Sequence, residues 1–336
     1  MKRETKVCLI AMLLTSMLFI SSKSYAAIWH VDNSGNDADF TSIKTAYESD
    51  SVHSDDTLYV NGTTISYGDL ILIKKLHIIG PGYFLNENQD TQAKITSAKI
   101  NSITYNPGSE GSSITGIEVI NMINVYSNNI TIRRNKIGGI YVNSSILNLI
   151  IVQNFIPCNT HHGIHFTSNG IANNVLISNN IIVSSNSLYA IVMTNQVQTI
   201  IKNNTISGSI EIHNSVFHNN IHCNDSESQR LISNCELKNN LADHEQFGSL
   251  LGNQSKVDMS TVFIGTGSQD GKWQLSENSP AKNAGLDGVD CGAFDGSDFY
   301  ILSGIPMIPS IYYVDAPAVA SELSGLPVHI KVKARN

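Results

Sequence analysis

The sequence predicts an all-β protein: a right-handed parallel β-helix (a solenoid) with an N-terminal capping α-helix and an extended C-terminal tail. Three observations predict it. First, six segments share the pattern apolar, any, apolar, any, any, Asn, any, apolar. They are ITIRRNKI (130–137), LIIVQNFI (149–156), VLISNNII (175–182), TIIKNNTI (199–206) and, more loosely, SVFHNNIH (215–222) and CELKNNLA (235–242). The shared residue falls at Asn135, Asn154, Asn180, Asn204, Asn220 and Asn240, one every 16 to 26 residues, which suits one coil of a solenoid. Second, another strand-like unit alternates with the first: GIEV (116–119), GIYV (139–142), GIHF (163–166), AIVM (190–193) and SIEI (209–212). Third, the region has no helical 3.6 period, and Ile and Val dominate its inward positions, as stacked parallel strands require. Asn suits the corners because it tolerates left-handed backbone angles, and its amide can bond the Asn one coil above.

The elements follow in chain order. Lys2, Arg3 and Lys6 precede an apolar run over 7–20, and Ser24 and Ala26 stand at the −3 and −1 positions of a cleavage site. Residues 1–26 therefore read as a signal peptide, and the protein as exported to the periplasm, the cell surface or beyond. The apolar run falls short of the roughly 20 residues that a membrane span needs, and no later segment is long and apolar enough for one. FTSIKTAYES (40–49) reads as a short amphipathic helix with Thr41 as N-cap, placed to cover the first coil's open edge. DDTLYVNGTTI (55–65) and LHIIGPG (76–82) read as first strands, and residues 27–294 as one β-helix with its cap. Residues 295–336 carry Pro306, Pro309, Pro317 and Pro327, which point to an extended tail along the solenoid or over its C-terminal end.

Helix, acidic turn, DTLYVNGT and LHIIGPG together resemble the N-terminal cap and first coils of the pectate-lyase-like β-helix superfamily. SPAKNAG (279–285) and VDCGAF (289–294) are similar to the C-terminal segment of its bacterial members. The resemblance spans most of residues 28–300. It implies the fold but not one activity, since that superfamily holds lyases, hydrolases, esterases, epimerases and non-catalytic members. It also implies that sugars bind along an exposed face of stacked strands.

Net charge is −7, so nucleic acid is excluded as a partner, and charged residues are only 15%, below the usual quarter or so. Export permits disulfides among Cys158, Cys223, Cys235 and Cys291, with Cys223–Cys235 the first pair to expect, though a large core does not need one. The candidate face follows from strand alternation: if Ile164 and Phe166 point inward, His165 points outward. Aligning the second unit gives an outer column of Glu118, Tyr141, His165, Val192 and Glu211, and a further column of Asn143, Thr167, Thr194 and His213. Tyr141 and His165 are the candidate acid/base pair, and Glu118, Thr167, Glu211 and His213 the candidate ligand-binding residues. His161 and His162 sit in the turn before His165, where polar residues are ordinary.

The reaction classes separate on spacing. Glycoside hydrolysis needs carboxyls roughly 5–9.5 Å apart; Glu118 and Glu211, four coils apart at about 4.8 Å per coil, would be too distant. A zinc site of His165, Glu211 and His213 fails on the same spacing, and no metal ligand set is assigned. A uronate lyase needs a base and something to neutralise the substrate carboxylate, Ca²⁺ or a cation such as Arg133 or Arg134. No cofactor is otherwise called for. The expectation is an exported β-helix that binds polysaccharide or another surface glycan without a complete catalytic site; the alternative is a polysaccharide lyase or related carbohydrate-active enzyme acting on uronate glycans.

Overall fold

The computed structural model describes residues 26–334 apart from 36, 168–170, 185–187, 194–196, 224–230 and 320–324. The signal-peptide assignment, except for Ala26, and Thr194 of the second outer column lie outside the described residues. The chain winds as parallel strands into three sheets of ten, eight and eight strands. Strand Ile28–Val31 opens the first sheet and Leu241–Ala242 is the last strand of the stack. Coils register residue on residue. In the first sheet Ile114, Ile132, Ile151, Ile177, Ile201 and Phe217 sit on successive coils and are wholly buried. Branched side chains repeating at one inward position fill a flat, continuous core without further patterning.

The eight-residue motif proves to be two strands, not one. In ITIRRNKI, Thr131–Arg133 belongs to the first sheet and Lys136–Ile137 to the second, with a corner between them. The same bend explains where the ladder sits. Side-chain amides of Asn135, Asn154, Asn180, Asn204, Asn220 and Asn240 each donate to the Oδ1 of the next member, at 3.0–3.2 Å, and the row ends on Asn253. The left-handed residue, however, is the one before each ladder Asn: Arg134, Gln153, Asn179, Asn203, Asn219 and Asn239, with φ between 53 and 58°. The ladder Asn thus contributes its amide inside the corner, and its neighbour supplies the backbone turn.

The helix is Ile43–Glu48 and lies against the first strands, burying Ile43 and Ala46. Its N-cap is Ser42 and not Thr41: the Ser42 hydroxyl accepts from Thr45 N at 3.0 Å.

Beyond Ala242 the regular coils stop, well before residue 294. From Cys291 to Ile305 the chain forms a strap along the corners. Together with the preceding turns it covers the outer face of the second sheet, packing Ala293 and Tyr300 on Phe155 and Ile181, and Val262, Ala281 and Cys291 on Ile221 and Leu241. The buried Asp270 carboxylate fixes its far end, accepting from Ser303 N (2.7 Å), Tyr300 OH (3.2 Å), Ser268 Oγ (2.9 Å) and Asn88 Nδ2 (3.0 Å). Four donors satisfy an anion that burial would otherwise penalise heavily.

The tail departs from a simple extended chain. Ser310–Asp315 and His329–Lys333 pair as an antiparallel ribbon. Ala93 N donates to Ile311 O, so the ribbon meets a loop in the N-terminal half and does not close the C-terminal end. The expected Cys223–Cys235 bridge is not formed: Cys235 is a thiol donating to Ser233 O at 3.3 Å. Burial pushes the Cys158 and Cys291 thiols up to about 12, so both stay protonated and inert at neutral pH.

Candidate functional site

The outer face of the third sheet carries most of the candidate residues. Ile140, Tyr141 and Val142 pair with Ile164, His165 and Phe166, so Tyr141 and His165 stand side by side. Ile164 and Phe166 are buried while Tyr141 and His165 are half-exposed, as strand alternation requires. Their rings meet edge to face with centroids 5.0 Å apart. Two glycines let the histidine turn fold onto these strands. A Cβ on Gly139 would lie 2.6 Å from His162 O, and one on Gly163 would lie 2.4 Å from Ala190 O. The turn therefore sits against the strand backbone and delivers His161 and His162 to the same patch. His162 packs on His165 (5.2 Å) and on Tyr189 (5.6 Å), and His161 on Tyr141 (6.2 Å). Five rings form one continuous zigzag.

Hydrogen bonds set the imidazoles. His162 Nδ1 accepts from Tyr189 N at 2.9 Å, which leaves its proton on Nε2. His161 Nδ1 pairs with Thr160 Oγ1 at 2.8 Å. His165 Nδ1 is buried and has no hydrogen-bond partner. Burial and then the His162 imidazole depress the pKa of His165, against a smaller opposing pull from Glu211. Burial and then His161 depress that of His162. Both are neutral at pH 7.

These shifts carry a sign. A histidine held below its unfolded value favours the folded state's neutral form; nothing is lost above pH about 6.5, and stability falls as pH drops from there through the folded pKa. His165→Ala is expected to stay within about 0.5 kcal/mol of the wild type at neutral pH. It should also lose less thermal stability than the wild type between about pH 7 and pH 5. Parallel pH profiles for the two proteins would contradict the burial argument.

The other candidates divide between this sheet and the second. Glu118 is not in the Tyr141 column: it lies in the second sheet, paired with Lys99 and Lys136, and the third-sheet neighbour of Tyr141 on that coil is Asn124. The similarity of GIEV to GIYV misled the alignment because every sheet repeats the same apolar alternation. Burial raises the Glu118 carboxyl, but the Lys136 ammonium at 2.8 Å outweighs it and holds the group below its ordinary range. Glu211 remains in the His165 column, two coils away beyond Val192. Thr167 spends its hydroxyl on Val142 O at 3.2 Å. His213 is largely buried, with Nδ1 2.5 Å from Ser233 Oγ and Nε2 3.4 Å from Glu211 Oε1. Arg133 and Arg134 do not reach this face: Arg133 pairs with Asp298 at 2.7 Å, and the buried Arg134 donates to Gln153 Oε1 and Ile305 O.

Among the described residues no cluster of three or more His, Cys, Asp or Glu side chains is placed to hold a metal ion, and no helix is long and apolar enough to cross a membrane. No protein-family model matches the chain, and no curated protein matches it.

The arrangement offers a strip of edge-to-face rings with polar tips and little formal charge. Such a surface can stack on the C–H face of a sugar ring while neutral imidazole and phenol groups exchange hydrogen bonds with its hydroxyls. The sequence pointed to Tyr141 and His165. It gave little weight to His161, His162 and Tyr189; the Gly before the Tyr141 strand and before the His165 strand is the signal that would have promoted the two histidines.

Proposed function

We propose that the protein is an exported, pectate-lyase-like right-handed β-helix, capped by helix 43–48, whose third-sheet face binds a polysaccharide or another surface glycan without cleaving it. One observation carries the reading: five aromatic and imidazole rings from three coils merge into one partly exposed strip, at about 4.8 Å per coil. A chain of sugars laid across the coils meets a new ring every coil or so. Export, the glycan partner and the superfamily likeness belong to this same reading and rest on the sequence features that suggested them.

Affinity electrophoresis through a panel of neutral and uronate polysaccharides tests it. The wild type should be retarded by at least one of them. His165→Ala and Tyr141→Phe should reduce that retardation about tenfold together, with melting midpoints unchanged; each lost stacking or hydrogen-bond contact is worth roughly a kcal/mol. Retardation that survives both substitutions would remove the strip from the binding site.

A uronate lyase is favoured by one feature, the neutral His165 imidazole packed edge to face on the Tyr141 phenol ring, a base next to an acid. It would need Ca²⁺ or a cation from elsewhere, because Arg133 and Arg134 are committed to the strap. Formation of unsaturated uronate product, followed by its absorbance and lost in His165→Ala, would establish that reading over the first.

A further inference from the structure

The solenoid strands pack on a core; the terminal ribbon does not. Ser310–Asp315 and His329–Lys333 make a sheet of two strands, joined to the body through the buried Ser310 and the bond from Ala93 N to Ile311 O. Its two faces differ in kind. Ile311 lies opposite Val332 and Val314 opposite Ile330, and a bulge at Tyr312 keeps Ile311 and Val314 on one side despite their odd spacing. That face is aliphatic throughout. The other carries Tyr313 opposite Lys331, with the ammonium 4.9 Å from the ring centroid, Asp315 opposite His329 and Ser310 opposite Lys333. The four aliphatic side chains are 44–58% exposed, and Leu326 and Val328, just before the second strand, fall in the same range. A two-stranded ribbon is marginal in water and becomes stable when its apolar face is covered. Bare aliphatic patches of this kind mark contact sites.

Charge decides what covers the face. The outer edge of His329–Lys333 has no strand beside it among the described residues, yet it shows His329, Lys331 and Lys333 at alternate positions. A copy paired along that edge would set lysine against lysine, which discourages strand addition. The aliphatic face carries no charge, so a copy laid on it meets no like charge. We propose that this face docks on the same face of a second copy of the chain, the two ribbons packing about 10 Å apart around a two-fold axis. An axis running across the strands sets the Asp315 end of each ribbon beside the Lys333 end of the other, opposite in sign. Six half-exposed aliphatic side chains offer on the order of 500 Å² per copy, so the pair buries about 1,000 Å², enough for a weak specific dimer. Each chain carries a net charge of −7 and repels its copy. The ribbon strands, with Lys331 and Lys333 against Asp315, are free of that acidic excess. The proposal does not rest on glycan binding.

Sedimentation velocity of the full chain, from about 1 to about 100 μM, tests it. A reversible monomer–dimer equilibrium is expected, with a Kd on the order of 10 μM. Ile330→Asp and Val332→Asp each set a carboxylate in the middle of the joint, at exposed positions, and should weaken the dimer at least about tenfold with the melting midpoint unchanged. Lys331→Gln, on the opposite face, should leave the dimer as it is. Added salt should tighten it, because screening removes the net repulsion and spares the aliphatic contact. A chain monomeric over the whole range would overturn the proposal. So would a dimer that salt weakens, one that both aspartate variants leave unmoved, or one lost equally in Lys331→Gln. A monomer that floats with phosphatidylcholine vesicles, and no longer does so as Ile330→Asp, would give the face to lipid instead.

Discussion

Asn204→Leu is expected to destabilise the protein by about 3–5 kcal/mol, measured as a fall in the denaturant midpoint at unchanged slope. Asn204 is wholly buried, and its side chain takes part in five hydrogen bonds. Its Oδ1 accepts from the backbone and side-chain nitrogens of Asn180, and its Nδ2 donates to Ile177 O, Lys202 O and Asn220 Oδ1. Leucine has a similar volume and none of these groups. It strands the Asn180 backbone N–H and one N–H of the Asn180 side-chain amide in a buried corner, each at about 1–3 kcal/mol. A midpoint shift below about 1 kcal/mol would mean that the ladder amides find other partners, and the ladder would cease to explain the corner.

Phe166→Ala is expected to cost about 3–5 kcal/mol by the same measurement. Phe166 is 2% exposed and stacks above Val142 inside the coil. Alanine removes most of the ring's buried area and leaves a void that neighbouring coils cannot close, because each is fixed to the next by its own parallel ladder. A cost near that of His165→Ala would reverse the assignment of inside and outside on this strand, and with it the exposure of the ring strip. The contrast between adjacent residues is the sharper test.

Much of this architecture was legible in the chain itself. Ile164, His165 and Phe166 alternate inward and outward as a strand dictates, and Asn180 and Asn204 occupy successive coils because a solenoid presents the same local problem at every turn. The pairing of Tyr141 with His165 followed from the same repeat. Glu118 shows where that kind of reading ends. Its segment resembles its supposed partners, but three sheets share one alternation, and only the corner between them says which sheet a strand joins. Thr41 and Ser42 differ too little as caps for sequence to separate them.

What the sequence determined by itself is the repeat: inward Ile and Val, the amide at each corner, and the outward place of Tyr141 and His165. All of these are set by residues within one coil of each other, where strand alternation and hydrogen-bond demand act directly. The tertiary structure alone decided which faces remain available. The strap covers the second sheet through contacts such as Tyr83 with Tyr300, 217 residues apart, and Asn179 with Ala293, 114 apart. Such contacts carry no period, and nothing local to either partner announces them. A face covered in that way is a property of two distant segments meeting, and no window of the sequence contains both.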